Sequence, residues 1–170
     1  IESIAEAKAQ VQKTMDAYNA VLAPDVKDRR DAYKKLQKEM SNADKKRADV
    51  SSKGGQMNQE ADQLFKGGEG SSAAIQSPAL RQRSEERLKK TQERFAEIRQ
   101  TGQKASALYE PFMKSLQDQV TFLGHDLNPG AIATLKPDAE KLNSQAKDLY
   151  AAIDQVTAVA NNNITRLSAE

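Results

Sequence analysis

The stretch from Ser77 to Asn128 constrains this chain more than any other. From Leu88, apolar or small residues recur at steps of three and four: Thr91, Phe95, Ile98, Gly102, Ala105, Tyr109, Phe112, Leu116, Val120 and Leu123. The mean spacing is about 3.5 residues, the period of a coiled-coil seam rather than of a broad apolar face. A helix of this length spans on the order of 70 Å. A stripe so narrow does not stabilise an isolated helix in water, so other segments must cover it.

Three further runs repeat the pattern. The first carries Ile4, Ala7, Val11, Met15, Tyr18 and Leu22, and stops at Ala23-Pro24 because proline pushes the residue before it out of the helical region. Asp25 is the expected N-cap of the second run. That run carries Val26, Arg29, Tyr33, Leu36, Met40, Ala43, Arg47, Val50, Gly54, Met57, Ala61 and Leu64. Gly54-Gly55 costs about 2 kcal/mol relative to alanine. The phase continues across it, which predicts a weakened or kinked helix rather than a turn.

Gly67-Gly68-Glu69-Gly70-Ser71-Ser72 has the composition of a loop. Ser77-Pro78 places a capping residue before a proline at the first helical position, a strong start for the long third helix. Pro111 predicts a bend near Ala107 to Pro111. Asn128-Pro129 repeats the start signal for a short piece at 129–135, and the last helix settles from Pro137. Its seam is Ile132, Leu135, Ala139, Leu142, Ala146, Leu149, Ile153, Val156, Ala160, then Ile164 or Asn163, and Leu167.

Helices are therefore expected at about 2–22, 25–66, 78–124 and 129–168, in one helical domain spanning 1–170. The fold class is all-α: an antiparallel four-helix bundle of long, coiled-coil-like helices. The first helix covers about 33 Å and the second about 60 Å. The second and third should outrun the first, with the 67–72 loop capping a projecting hairpin.

Composition narrows the function classes. Hydrophobic content of 38% with no Trp suits narrow Ala-rich seams. Net charge is +2, and the stretches 25–53 and 78–104 carry +4 each, with acids interleaved at helical spacing. That is the pattern of solvated helix faces, not the dense basic patch of a nucleic-acid footprint. The absence of Cys excludes disulfides, thiolate metal sites and a cysteine nucleophile. No run approaches the roughly 18 apolar residues of a membrane span. The start at Ile1, inside a helical pattern, suggests processing or trimming.

Candidate chemistry is sparse. His125 is the only His and could join Asp126 and Asn128 in a polar cluster at a helix exit, as a metal or small-ligand site. Turn chemistry and the helix dipole account for these residues more simply, and a lone His without Cys makes a poor transition-metal site. Glu85-Glu86 and Asp138 with Glu140 do not converge on one cleft, and the Gly67–Gly70 loop lacks the Lys-Ser/Thr of a phosphate-binding loop. No catalytic residue, cofactor or metal is expected. Tyr33, Tyr109, Phe95, Phe112 and Phe122 fall on or next to seams and are expected in the core. Gly102 is a small residue on the seam of the long helix. It is expected to form a notch filled by Tyr33 or Met40, with a hinge as the alternative. Leu64, Phe65, Gly67, Gly68 and Gly70 form the expected interaction tip.

The third helix and its exit also resemble a known family. Leu80-Arg81, Arg83-Ser84-Glu85, Leu88, Thr91, Arg94-Phe95, Pro111, Phe112, Asp118-Gln119-Val120, Phe122-Leu123, His125, Leu127-Asn128 and Ala131-Ile132-Ala133 look like the signature of the bacterial domain-of-unknown-function family 2959. Leu64-Phe65, Ser77-Pro78 and Tyr33 fit it as well. Gly54-Gly55, Gly67-Gly68 and Pro137 depart from it. The resemblance implies a bacterial chain that commonly begins with a signal peptide, often with a lipoprotein-type cleavage site. It therefore implies the periplasmic side of the cell envelope and a membrane tether through a segment upstream of Ile1. It implies no activity and no functional residues.

The expected function is a non-enzymatic structural or protein-interaction module, with an unknown protein or a second copy as partner and no nucleic acid. The alternative is binding to an anionic lipid surface through 27–53 and 81–104. A ligand or metal binder at 125–128 is the second alternative.

Overall fold

A computed structural model describes the backbone of residues 1–169 and the side chains of residues 1–166. The chain is all-α, with α1 at Glu2–Leu22, α2 at Arg29–Ala73, α3 at Pro78–His125, α4 at Pro129–Thr134 and α5 at Lys136–Ala169. α1 packs on α2 and α5, and α3 packs on the same two helices. Neighbouring long helices run antiparallel. Gln10 and Glu6 of α1 meet Glu39 and Lys46 of α2. Ser72 of α2 meets Ser84 of α3, while Tyr33, near the start of α2, reaches Val120 near the end of α3.

The alternating seams explain the packing, and their burial is graded. Along α3, Leu88, Thr91, Phe95, Ile98, Gly102 and Ala105 are half-buried, whereas Tyr109, Phe112, Leu116, Val120 and Leu123 are buried. The change of depth follows the number of covering helices. α1 begins level with Lys46 of α2 and Asp154 of α5, to which Glu6 and Lys8 are ion-paired. Beyond that level α2, α3 and α5 continue. Asn163 of α5 still reaches the Arg94 carbonyl, and past it α2 and α3 pair as a hairpin. The core cluster centres on Tyr18, Leu36, Phe112, Leu116, Leu123, Leu142 and Leu149, in the four-helix section near the 23–28 and 126–128 turns.

Several sequence expectations are corrected. Asp25 does not cap α2. Pro24 and Asp25 lie in a turn, and Asp28 is the cap, its side chain accepting from the Asp31 N–H at 3.1 Å. Residues 67–72 are helical, not a loop, whereas α2 crosses Gly54-Gly55 as one helix, as the unbroken phase predicts. Tertiary packing overrides the local glycine cost: Phe65 stacks edge-on with Phe95 at 5.8 Å, and Ser72 shares a 2.6 Å hydrogen bond with Ser84. A Cβ on Gly68 would lie 2.9 Å from Leu88 Cδ1, so this glycine admits the Leu88 side chain.

The inward stripe of α2 therefore continues as Gly54, Asn58, Ala61, Phe65, Gly68 and Ser72, at the 3.6-residue period of a straight helix. Met57 and Leu64, expected on the seam, are left outside it at 42% and 73% exposure. Phe122, expected in the core, is one position off the seam and 41% exposed. At the end of α5, Asn163 takes the inward position at 1% exposure and Ile164 is exposed. The seam position at Leu167 lies outside the described side chains.

The two hairpin turns share a closing device. Arg29, the first residue of α2, donates from Nε to the Val21 carbonyl at 3.0 Å and from Nη2 to the Ala23 carbonyl at 3.1 Å. Arg81, in the first turn of α3, donates from Nε to the Ile75 carbonyl at 2.9 Å and from Nη2 to the Ala73 carbonyl at 3.3 Å. Each guanidinium satisfies carbonyls that the end of the preceding helix leaves open, and adds a positive charge to the negative end of its dipole.

No glycine among the described residues has a positive φ, so these glycines act by size rather than by backbone freedom. Gly124 shows this best. A Cβ there would lie 2.6 Å from the Tyr33 hydroxyl, which donates to the Val120 carbonyl at 3.1 Å. Gly→Ala in a helix ordinarily gains about 1 kcal/mol. Gly124→Ala should instead destabilise the protein by about 1 kcal/mol, because it displaces that hydrogen bond. In a Tyr33→Phe background, where the nearest ring atom is 3.5 Å away, the same change should stabilise. Urea unfolding of the four members of this cycle checks the change of sign.

Candidate functional site

The four-helix section holds a cavity of about 110 Å³ near the level where α1 begins. α1 contributes Ile4, Ala7 and Val11, and α5 contributes Leu149, Ile153 and Val156, all aliphatic. α2 contributes Ala43, Arg47 and Val50, and α3 contributes Gly102, Ala105, Ser106 and Tyr109. Val11, Ala43, Tyr109 and Leu149 are buried, while Ile4, Val50 and Gly102 are half-buried, so the cavity deepens toward the core from the start of α1.

Small residues leave this space open. Nothing lies within 4 Å of a Cβ built on Gly102, which corrects the expectation that Tyr33 or Met40 fills the notch. Tyr33 sits at Gly124 instead. Gly102 was recognisable in the sequence as a small residue on a seam. That Ala7, Ala43 and Ala105 face the same point was not, because their meeting depends on the relative heights of four helices.

The polar side of the cavity is built around Arg47. Its guanidinium lies 5.2 Å from the centre of the Tyr109 ring, donates from Nη2 to Ser106 Oγ, and reaches Glu110 Oε1 at 3.5 Å. The Tyr109 hydroxyl is buried with no hydrogen-bond partner. Burial, and then the Asp44 carboxylate, push the Tyr109 phenol up to about 12 against the lowering effect of Arg47; Glu110 adds to the rise. Burial and Asp16 likewise push Tyr150 up to about 12. Tyr18 is raised further still by burial and Asp138, and donates to Gln119 Oε1 across the core.

The sequence-nominated residues fall elsewhere. His125 ends α3, exposed. Asp126 Oδ1 accepts from the Asn128 N–H at 3.2 Å, and Asn128 Oδ1 accepts from the Ala131 N–H at 3.0 Å as the cap of α4. Asp126 and Asn128 thus act within the turn. Among the described residues no group of three or more His, Cys, Asp or Glu side chains could hold a metal ion. At the hairpin, Leu64 is exposed, Phe65 and Gly68 face α3, and Gly67 and Gly70 border open space.

The orphaned hydroxyl yields a prediction. An unpaired buried polar group costs about 1–3 kcal/mol. Tyr109→Phe should therefore stabilise the protein by about 1 kcal/mol at pH 7 in urea unfolding. Because the folded-state phenol titrates above the ordinary value of 10.0, the unfolded chain loses its proton first. Wild-type stability is thus unaffected by this group below pH 10 and declines as pH rises toward about 12. The wild type should lose stability over this window, and Tyr109→Phe should lose it less steeply, with Tyr18 and Tyr150 supplying the remainder.

No curated protein and no solved structure matches the chain. The family described as "Protein of unknown function (DUF2959)" matches residues 1–167, and the chain belongs to that family.

Proposed function

We propose that this protein is a non-enzymatic interaction module of the bacterial cell envelope, presenting the free end of its α2–α3 hairpin to a second copy of itself or to another protein. The observation that carries this reading is the apolar surface left on that arm: Met57 at 42%, Leu64 at 73% and Leu80 at 53% exposure. Met57 and Leu64 are seven residues apart on one face of α2, the spacing at which a helix presents apolar knobs to a partner. The placement on the periplasmic side, through a lipid-anchored upstream segment, draws on the likeness to bacterial envelope proteins described above. Metabolic labelling with palmitate and fractionation of the full-length product test it.

Lipid-surface binding ranks second. Many cations of the two basic stretches are engaged within the chain: Lys46 with Glu6, Lys53 with Asp49 and Arg99 with Asp62, besides Arg29, Arg47 and Arg81. Salt-sensitive co-sedimentation with anionic vesicles would favour it. Ligand or metal binding at 125–128 ranks third, because turn hydrogen bonds already occupy Asp126 and Asn128.

The leading reading predicts site-specific photo-cross-links in cells from Leu64 and Leu80, giving discrete adducts, and none from the exposed Glu140 near the opposite end. Adduct mass separates a second copy from another protein. Leu64→Ser and Leu80→Ser together should weaken self-association or capture at least tenfold, while moving stability by no more than about 0.5 kcal/mol each. Adducts from Glu140 alone, or none at all, would sink the reading.

A further inference from the structure

The cavity at Gly102 lies away from the hairpin surface and supports an inference that does not rest on the interaction reading. The geometry points to a binding site for a medium-chain alkyl carboxylate, with its hydrocarbon chain in the cavity and its carboxylate held by Arg47 and Ser106. Three observations converge on this class of ligand.

The lining is divided by chemistry. α1 and α5 present only aliphatic side chains, and the polar groups all come from α2 and α3. A wholly apolar ligand would leave the small polar part of that lining unused, and an inorganic anion the much larger apolar part. An amphiphile uses both. About 110 Å³ is smaller than the roughly 150 Å³ apolar cavity that takes up a benzene ring, so it holds the end of a flexible chain while the rest lies along its open side.

The polar edge is a donor surface. Arg47 carries five N–H donors in a planar fork suited to a carboxylate, and its contacts to Ser106 and Glu110 both run through Nη2. Ser106 lines the cavity beside it. A group offering acceptors and negative charge complements this set. The acids nearby, Glu110 and Asp44, oppose an anionic headgroup less strongly than Arg47 favours it, because the Glu110 side chain is 69% exposed and already faces the guanidinium.

The open space is also accessible. Its half-buried members, Ile4, Val50 and Gly102, lie where the bundle passes from four covering helices to three, so a chain can enter without unfolding the core.

The test is a titration of the isotope-labelled 170-residue chain with octanoate below its micellar concentration, followed by methyl NMR, with 1-octanol as the uncharged comparison. Saturable shifts are expected at the Val11, Leu149 and Val156 methyls, together with a raised thermal midpoint. Octanoate should bind about tenfold more tightly than octanol, and Arg47→Gln should remove most of that preference. Gly102→Leu replaces glycine with a better helix former, so it should fold, fill the cavity and abolish the shifts. A Gly102→Leu protein that binds octanoate as the wild type does would overturn the site. So would a wild type without saturable shifts at these methyls. Equal binding of octanoate and octanol would overturn the carboxylate assignment.

Discussion

The structure depends on one long stripe being covered by helices of unequal length. α3 has 48 residues and α2, with 45, runs beside it for nearly its whole length, but α1 has only 21 and ends far short of the hairpin. Where α1, α2 and α5 all surround it, Phe112, Leu116 and Leu123 are at most 1% exposed. Where only α2 and α5, and then α2 alone, remain, the same stripe is half-buried at Phe95 and Leu88. Hydrophobic stabilisation scales with area removed from water, so it is concentrated near the 126–128 turn and thins toward the hairpin. The hairpin compensates with specific contacts: Phe65 on Phe95, Leu88 against Gly68, Ser72 with Ser84, and Arg81 over the open carbonyls of α2. Local opening should accordingly cost least at this end.

Narrow, Ala-rich seams resemble one another and can slip by a heptad, so the buried polar residues deserve reading as register marks. Gln10 and Thr14 both bond the Glu39 carbonyl, which fixes α1 against α2. Tyr33 bonds the Val120 carbonyl and fixes α2 against α3. Asn163 bonds the Arg94 carbonyl at 3.2 Å and fixes α3 against α5. Tyr18 crosses the centre to Gln119, whose Nε2 donates to the Asp138 carbonyl at 3.4 Å. A slip would leave these groups buried and unpaired, at roughly 1–3 kcal/mol for each. A single buried polar residue sets register in coiled coils by the same physics.

Much of the fold was legible in the sequence because a 3.5-residue stripe reports helix, face and approximate length together. The starts at Pro78 and Pro129 and the step at Pro137 were readable for the same reason: proline acts locally. The failures have a common cause. Gly67 to Ser72 look like a loop by composition, and only Leu88, twenty residues on from Gly68, explains why a glycine stands in a helix there. The outward turn of Met57 and Leu64 reflects the stripe settling to a 3.6-residue period, a drift invisible until enough turns accumulate. Of the candidate site, Gly102 was legible as a notch, but not what surrounds it. A cavity is a property of the heights at which four helices meet, and no single segment encodes that.

The location of the cavity follows from the same change in layer number. A seam position must fit a large opposing side chain where three helices face it, and can remain loosely filled where one of them is about to end. Gly102 and Ala105 stand at that transition, opposite the start of α1. Leucine at either position would extend the apolar stripe, and at Gly102 it would also favour the helix. Glycine forgoes both gains and alanine the apolar one, and Tyr109 adds a buried hydroxyl without a partner where phenylalanine would pack as well. Three choices against stability within two turns of one helix, in a chain whose other buried hydroxyls at Thr14 and Tyr18 are hydrogen-bonded, mark this part of α3 as a place where folding alone does not dictate the residue.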